Sequence, residues 1–212
     1  MKILITAGPT REHIDPVRFI TNRSSGKMGY ALARAAQKRG FETILVTGPV
    51  NLEPPAGVEV VRIESASDMA EAVKRLAPSC DAIVMAAAVA DYRPVRVAEH
   101  KLKKAPGGLT LELERTEDIL ASLGEMKRPG QLLVGFAAET DALLENATDK
   151  LRRKNLDWIV ANKVSDGFGA DTNKVILLGR AGEKFELPLA PKPEVAEKIL
   201  EIIFGRHTKF QP

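Results

Sequence analysis

The chain has 212 residues and a formal net charge of +3, with 44% hydrophobic and 28% charged residues, an ordinary balance for a globular protein. Such a length can bury a full core unaided, and a single cysteine excludes an internal disulfide framework and CxxC zinc or redox sites. The small excess of 31 Lys and Arg over 28 Asp and Glu, with only 5% aromatic residues, gives no support to nucleic-acid binding.

No segment of the sequence predicts a membrane span or a secretion signal. The longest apolar runs, residues 83–90 and 132–138, are far shorter than the ~20 residues that cross a bilayer. The first residues, MKILIT, enter a strand pattern directly and lack the features of a signal peptide. We therefore expect a protein of the reducing cytoplasm, with neither a membrane nor nucleic acid as partner.

Strand and helix patterns alternate along the chain. A strand over residues 2–7 stops at Gly8-Pro9, an unpatterned polar loop covers 10–26, and the helix that follows ends at Gly40. Further strands are predicted at 42–47, 58–63, 81–88, 108–114, 131–137 and 157–161, with an antiparallel hairpin at 173–178 and 184–189. Further helices are predicted at 67–77, capped by Ser67, at 116–123, capped by Thr116, at 141–154, and from Pro193 onward.

This alternation predicts one α/β domain over residues 1–212. The expected fold is a doubly wound, mostly parallel, Rossmann-like sheet, followed by the C-terminal hairpin and helix. Ligands of such sheets bind in the loops at the carboxyl ends of the strands. The candidate loops are residues 8–29, 88–104, 137–140 and 162–173.

Two of these loops allow two interpretations each. Residues 22–29, NRSSGKMG, precede a helix, so their hydroxyls, glycines and backbone N–H groups suit an anion, but they also suit a plain helix cap. Residues 86–94 end a buried strand with small side chains and Asp91, which could accept a hydrogen bond from a ligand hydroxyl or could cap a turn.

Two groups of lysines are similarly ambiguous. Lys101, Lys103 and Lys104 lie beside a Pro-Gly-Gly tip, which is typical of a mobile lid over a phosphate ligand and also of a solvated charge cluster. Lys150 and Lys154 are four residues apart and share a helix face that could contact a polyanion or face solvent.

An ordered set of motifs spans nearly the whole chain: TAGPT at 6–10, DPVR at 15–18, TNRSSGKMG at 21–29, residues 86–94, KLKK at 101–104, residues 135–140, and residues 150–157 followed by Asn162. Together they resemble bacterial phosphopantothenoylcysteine synthetase (phosphopantothenate–cysteine ligase), the synthetase domain of the bacterial bifunctional coenzyme A biosynthesis protein. Each motif alone is modest, whereas the ordered set is specific. In many bacteria this domain follows a flavin-dependent decarboxylase in one polypeptide, so we expect the chain to be either a free-standing enzyme or a domain cut out of such a protein.

The resemblance implies an activity and its ligands. The family joins the carboxylate of 4′-phosphopantothenate to the amine of cysteine, using CTP, through an acyl-cytidylate, with release of pyrophosphate and then CMP. Mg²⁺ is implied as a cofactor, and the protein is expected to form a homodimer whose lysine loop reaches across the interface. A decarboxylase domain or partner is also implied.

The resemblance further implies roles for individual residues. Asn22 contacts the phosphopantothenoyl carbonyl, Arg18 braces that loop or the cysteine carboxylate, and Lys101 assists the second half-reaction. The nucleotide phosphates are cradled by Gly8, Ser24, Gly26 and Gly29. The ligand pocket is lined by Ala87, Ala88 and Asp91. The CTP site is completed by Glu117, Asp118, Ile119, Leu120, Phe136, Lys150, Lys154 and Asn162, with Asp118 also on Mg²⁺. The family motif Asn-Pro-Asp-Ile reads Thr116-Glu117-Asp118-Ile119 here, so the loop lacks its proline.

Two other classes of function compete with this one. An NAD(P)-dependent oxidoreductase would use the same kind of sheet, but no G-x-G-x-x-G follows the first strand and no Tyr-x-x-x-Lys pair is present. The other competing class is a non-catalytic nucleotide-binding regulator, which release of pyrophosphate would exclude.

Overall fold

The computed structural model describes residues 1–104, 106–164 and 169–205. The strands are β1 (Lys2–Ala7), β2 (Arg11–His13), β3 (Phe19–Thr21), β4 (Glu42–Thr47), β5 (Glu59–Arg62), β6 (Ala82–Met85), β7 (Tyr92–Pro94), β8 (Leu113–Arg115), β9 (Leu132–Glu139), β10 (Trp158–Lys163), β11 (Thr172–Gly179) and β12 (Lys184–Pro191). The helices are α1 (Lys27–Lys38), α2 (Ala66–Leu76), α3 (Ile119–Met126), α4 (Leu143–Arg153) and α5 (Lys192–Phe204).

Eight strands form the central sheet in the spatial order β12-β11-β10-β9-β6-β1-β4-β5. Six neighbouring strands pair in parallel, in the spatial order β5, β4, β1, β6, β9, β10. The last two strands, β11 and β12, are antiparallel. If these six strands are numbered by their order in the chain, their spatial order from β5 to β10 is 3-2-1-4-5-6. This is the arrangement of a doubly wound dinucleotide-binding sheet. The predicted fold class is therefore confirmed, as are the C-terminal hairpin and helix. The strand order reverses between β1 and β6, where ligands of such sheets bind.

Helices cover both faces of the sheet. Side chains of α1 and α5 pack in one apolar cluster with the sheet, and side chains of α2, α3 and α4 pack in another on the opposite face. The central strands read as continuous apolar runs because both faces are buried. Among the described residues, no helix is long and apolar enough to cross a bilayer.

Several local predictions were wrong, each for an identifiable reason. The loop predicted at 10–26 contains the β2–β3 hairpin, whose three-residue strands are too short to show a periodic pattern. Ser65, not Ser67, caps α2, because Ser65 and Asp68 form a reciprocal capping box. Asp118, not Thr116, caps α3, and the Thr116 hydroxyl instead donates to the carbonyl oxygen of Ala90 at 2.6 Å.

The strand predicted at 108–114 is also wrong over most of its length. Only Leu113–Arg115 is a strand, because only this part is paired with β7. Leu109 alternates with polar residues as a strand residue would, yet it is 61% exposed. The alternation of apolar and polar residues therefore did not identify which part of the segment pairs with another strand.

Gly29 allows α1 to lie directly against the end of β1. A Cβ atom at this position would lie 2.5 Å from the Cβ of Ala7 and 2.8 Å from the carbonyl oxygen of Thr6. Neither atom can move without shifting the β1 backbone, so the side chain must be absent.

We predict that Gly29→Ala destabilises the protein. Overpacking of this kind costs about 1–3 kcal/mol or more, which exceeds the ~1 kcal/mol of helix propensity that alanine adds. The melting temperature should fall by roughly 2–4 °C for each kcal/mol lost. Gly108→Ala is the control, because a Cβ there meets no atom within 4 Å. Equal melting temperatures for the two variants would contradict the packing argument.

Candidate functional site

A cleft of about 660 Å³ lies at the carboxyl edge of the sheet, around the reversal of strand order. It gathers most of the residues that the sequence singled out. The cleft is lined by Asn22, Ser24, Gly26, Gly29, Ala87, Ala88, Asp91, Glu117, Asp118, Ile119, Leu120, Phe136, Lys150, Lys154 and Asn162. Gly8, Arg18 and Lys101 are not among the lining residues.

Two buried threonines in the first motif hold the floor of the cleft. The hydroxyl oxygen of Thr6 accepts a hydrogen bond from the Ala87 N–H at 3.1 Å, and that of Thr10 accepts one from the Ala90 N–H at 3.0 Å. The backbones also pair, since the Ala88 N–H donates to the Gly8 carbonyl at 2.9 Å. The small residues of 86–90 are thus fixed beside the end of β1.

The start of α1 faces the cleft without a side-chain cap. Gly26 occupies the N-cap position with φ of 75°, in the left-handed region that favours glycine. Among the described residues the Ser24 hydroxyl accepts from the Gly26 N–H, at 3.3 Å, and no side chain caps the first turn. Uncapped N–H groups at the positive end of a helix suit an anion, which favours the anion-site interpretation over the plain cap.

Asn22 connects this loop to the floor of the cleft. Its side-chain Nδ2 donates to the carbonyl oxygens of Ala88 at 3.0 Å and Val89 at 3.3 Å. The amide therefore positions the 86–90 segment while it lines the cleft itself.

Lys150, on α4, and Lys154, at its C-cap, line the cleft on the face of the sheet that α3 and α4 cover, and they make this side of the cleft cationic. Lys150 donates to the Phe136 carbonyl at 3.2 Å, and burial, with the nearby charge of Lys154, lowers its pKa. Lys154 is paired with Asp118 at 2.7 Å, and its side chain is only 10% exposed. The interpretation of these lysines as an exposed basic face is therefore wrong.

The carboxylates on this side are already engaged. Burial raises the cost of ionising Asp118, yet the hydrogen bonds from Lys154 and the Ala121 N–H hold its pKa below the usual value. Lys74 and the Ser122 hydroxyl lower the pKa of Glu117 in the same way. Among residues 1–104, 106–164 and 169–205, no group of three or more His, Cys, Asp or Glu side chains could hold a metal ion. Asp118 could offer Mg²⁺ one carboxylate, which suits an ion that is usually bound by one or two carboxylates together with substrate phosphates.

Sequence reasoning missed a second cationic side of the cleft. Lys27, Asn173 and Lys192 line it next to α1 and α5. Arg115 lines the cleft as well. Lys27 lies inside a recognised motif, but Asn173 and Lys192 carry no local signal, because only the return of the C-terminal hairpin brings them to this edge.

The three predicted residues outside the cleft have different surroundings. Gly8, with φ of 74°, lies behind the loop of residues 22–26, since a Cβ at Gly26 would lie 3.3 Å from its Cα. Lys101 is exposed, and the predicted lid over residues 101–108 includes residue 105, which lies outside the described residues. Lid mobility therefore stays a prediction.

Comparisons with known proteins identify the family. The family described as DNA/pantothenate metabolism flavoprotein C-terminal domain matches residues 1–206. The chain belongs to this family. It is 54% identical over 205 residues to the coenzyme A biosynthesis bifunctional protein CoaBC of Bacillus subtilis (strain 168), covering 95% of this chain and 50% of that protein. It therefore spans about half the length of the curated relatives it matches.

Two solved structures have the same fold. The C-terminal domain of a coenzyme A biosynthesis bifunctional protein CoaBC superposes with a TM-score of 0.82 at 53% identity, covering 95% of this chain and 93% of that one. The DNA/pantothenate metabolism flavoprotein from Streptococcus pneumoniae gives a TM-score of 0.82 at 25% identity, covering 96% and 98%. The resemblance inferred from the ordered motifs is thus confirmed.

Arg18, from the DPVR motif of this flavoprotein C-terminal domain, anchors the lysine loop. It pairs with the fully buried Asp15 and donates to the Leu102 carbonyl at 2.9 Å. Asp15 in turn accepts from the backbone N–H groups of Val17, Arg18 and Leu102. The Arg18 guanidinium and these N–H groups hold the pKa of Asp15 well below its usual range. In the described structure Arg18 therefore braces the segment that begins at Lys101.

We predict that Asp15→Asn releases this segment. A lysine-specific protease should cleave between residues 101 and 104 several times faster at pH 7, because an amide cannot satisfy the guanidinium and three N–H donors together. Asp149→Asn is the control, since the Asp149 side chain is 70% exposed and paired only with Arg153 across one helical turn. Equal cleavage rates would contradict the anchoring role.

The same variant should change the pH dependence of stability. A lowered folded-state pKa means that the stabilisation from Asp15 is complete above about pH 4 and is lost as the pH falls further. The melting temperature of Asp15→Asn should therefore fall less than that of the wild type on acidification below about pH 4.

Proposed function

We propose that the chain is a phosphopantothenate–cysteine ligase that uses CTP and forms an acyl-cytidylate intermediate in coenzyme A biosynthesis. One observation carries the proposal: a single cleft gathers the motif residues from separate loops, in a family whose Bacillus subtilis relative is named for coenzyme A biosynthesis. The same observation favours a ligase over the oxidoreductase and the regulator.

The chemistry requires two stages. An amine cannot displace the oxygen of a carboxylate at neutral pH, because that oxygen is a poor leaving group. Attack of the carboxylate oxygen on the α-phosphorus of CTP breaks the bond to the β-phosphate and releases pyrophosphate. The cysteine amine then attacks the acyl carbon, and CMP leaves with the electron pair of the C–O bond.

The α3–α4 side of the cleft suits the nucleoside. Phe136 offers a ring to the base or ribose, and the Glu117–Leu120 loop lies at the start of α3. Lys150 has no carboxylate within hydrogen-bonding distance among the described residues, so its ammonium is available to a phosphate. Mg²⁺ would be held by Asp118 with the phosphates and water, and it offsets the triphosphate charge.

The acyl substrate fits the floor of the cleft. Ala87 and Ala88 leave room against the backbone, and Asp91 presents an exposed carboxylate beside them. Asn22 joins this floor to the loop of residues 22–26, where the acyl and phosphoryl groups must meet. By exchanging its longer bond to the Val89 carbonyl, at 3.3 Å, for the oxyanion that develops at the acyl carbon, an amide N–H of Asn22 would stabilise that charge.

In this proposal Lys101 acts in the cleft of a second copy of the chain, because it does not line the cleft of its own chain. Exposed apolar side chains cluster on the two small sheets: Val17 and Phe19 on or beside β2–β3, and Tyr92, Val97 and Leu113 on or beside β7–β8. These sheets lie in contact with each other. We assign this surface to a homodimer, in which Lys101, four residues beyond Val97, reaches the partner's cleft. A cytoplasmic location and action beside a decarboxylase domain or partner belong to the same proposal.

We predict pyrophosphate release from CTP and 4′-phosphopantothenate without cysteine, because acyl-nucleotide formation precedes amine attack. A coupled assay for pyrophosphate in the presence of Mg²⁺ should show about one equivalent per active site, and cysteine should then allow turnover. CTP alone is the control. Strict dependence of release on cysteine would contradict the two-stage order. A change in NADPH fluorescence on mixing would support the oxidoreductase instead.

We predict that Asn22→Asp lowers turnover by roughly 10²–10³-fold, the usual effect of losing an oxyanion donor. The new carboxylate would face the carbonyl oxygens of Ala88 and Val89 and would repel nearby phosphates. The melting temperature of the Asn22→Asp variant should fall only slightly, because Thr6 and Thr10 still hold the rest of the floor of the cleft.

Asn51→Asp is the matched control for this variant, since Asn51 is exposed and does not line the cleft. Near-normal turnover by a folded Asn22→Asp protein would remove Asn22 from the active site.

A further inference from the structure

Arg115 brings a guanidinium without a counter-ion to the cleft. The residue is exposed and lines the cleft, and no carboxylate in the part of the chain that the structure describes forms an ion pair with it. The carboxylates on either side of it in the sequence are engaged elsewhere. Glu114, the preceding residue, pairs with Arg93 at 2.8 Å. Glu117, two residues further on, pairs with Lys74. The guanidinium is therefore available to an anionic ligand.

Backbone contacts fix Arg115 beside the floor of the cleft. It is the Cα partner of Tyr92 where β7 and β8 pair. The next residue, Thr116, donates its N–H to the Asp91 carbonyl at 3.0 Å and its hydroxyl to the Ala90 carbonyl at 2.6 Å. Ala90 is the last residue of the floor segment, so the floor continues directly into the strand that carries Arg115 on its partner. A long side chain at this position reaches the region where the acyl group is proposed to bind.

The second substrate of the proposed reaction has an anionic group that must lie near the floor. In cysteine the α-nitrogen and the carboxylate carbon are bonded to the same Cα, so these two atoms lie about 2.5 Å apart. A site that places the amine against the acyl carbon therefore also places the carboxylate there. A guanidinium can donate two parallel hydrogen bonds to a carboxylate, whereas an ammonium acts as a point charge. Arg115 is the only arginine among the described residues that line the cleft.

We propose that Arg115 binds the carboxylate of cysteine and thereby directs the cysteine amine at the acyl carbon. The proposal rests on the function proposed above, and it names the residue that recognises the second substrate. When the amide forms, the amine nitrogen gives up a proton to solvent and the new C–N bond replaces the C–O bond to CMP. Arg115 does not take part in this bond exchange, but it selects an amino acid over an amine that lacks a carboxylate.

The test compares cysteine with cysteamine, which has the same thiol and amine but no carboxylate. In the wild type, kcat/KM should be higher for cysteine. Arg115→Gln should raise KM for cysteine by about 10- to 100-fold, the usual effect of losing a bidentate bond between charged groups. It should leave kcat/KM for cysteamine nearly unchanged, so that the preference for cysteine largely disappears.

Arg93→Gln is the matched control, because Arg93 lies on the neighbouring strand, pairs with Glu114 and does not line the cleft. This variant should keep the preference of the wild type. Arg115→Lys keeps the charge but not the two parallel hydrogen bonds, and it should recover part of the preference. Melting curves that match those of the wild type establish that each variant is folded.

Two outcomes overturn the assignment. One is an unchanged preference for cysteine in Arg115→Gln and Arg115→Lys. The other is a rise in KM for CTP or for 4′-phosphopantothenate in place of the rise for cysteine, which would assign Arg115 to the nucleotide or to the acyl substrate.

Pyrophosphate release without cysteine separates this inference from the proposed function. Arg115→Gln should release pyrophosphate from CTP and 4′-phosphopantothenate as fast as the wild type, because cysteine takes no part in that stage. A wild type that releases none overturns the proposed function and this inference together. Normal release combined with an unchanged preference for cysteine overturns the assignment of Arg115 alone.

Discussion

The close contact between the first turn of α1 and the last residues of β1 determines the geometry of the whole site. It requires glycine at position 29, where a Cβ would lie 2.8 Å from a β1 carbonyl oxygen. It also places Gly26, in a left-handed conformation, beside Gly8. The first N–H groups of the helix, which no side chain of the described residues caps, then face the sheet edge rather than solvent. Without this contact the start of α1 would lie away from the reversal of strand order.

Polar side chains in and around the cleft then fix its loops. Thr6 and Thr10 hold the floor, Asn22 ties the loop of residues 22–26 to it, and the buried Asp15 holds the segment that begins at Lys101 through Arg18 and Leu102. The side chains of Thr6, Thr10, Asn22 and Asp15 are short, and each is buried or makes more than one hydrogen bond. Because they are short, they lose little side-chain entropy when they are fixed. The floor of the cleft and the anchored ends of these loops therefore keep defined positions although few of their residues belong to the core.

The net charge of the chain is only +3, but the distribution of charge suits the highly charged substrates of the proposed reaction. Lysines lie on both sides of one sheet edge, at a cleft whose low-dielectric walls strengthen their field. Two of them are paired with exposed carboxylates, Lys27 with Asp171 and Lys154 with Asp118, and the exposed Lys27 pair contributes little stability that a phosphate would have to replace. Local concentration of charge, rather than overall charge, is what the proposed reaction requires.

The sequence by itself determined the fold class, the parallel core strands and most of the cleft residues. These features are local: apolar runs specify buried strands, glycine ends a helix, and small motifs at strand ends fall together because parallel strands share a carboxyl edge. Gly29 and Ser24 could be recognised for the same reason.

Only the tertiary structure decided the rest. The β2–β3 hairpin is too short for a periodic signal, and Ser65 replaced Ser67 as the cap because a reciprocal pair with Asp68 was available. Lys101 and Arg18 belong to recognised motifs, yet their single-chain positions lie outside the cleft. Asn173 and Lys192 reach the cleft because the antiparallel β11 begins at the edge where the parallel strands end, and α5 starts there after β12 returns. No local pattern encodes that meeting, since it depends on the antiparallel return of β11 and β12 and on the packing of α5 against α1, more than a hundred residues away in the chain.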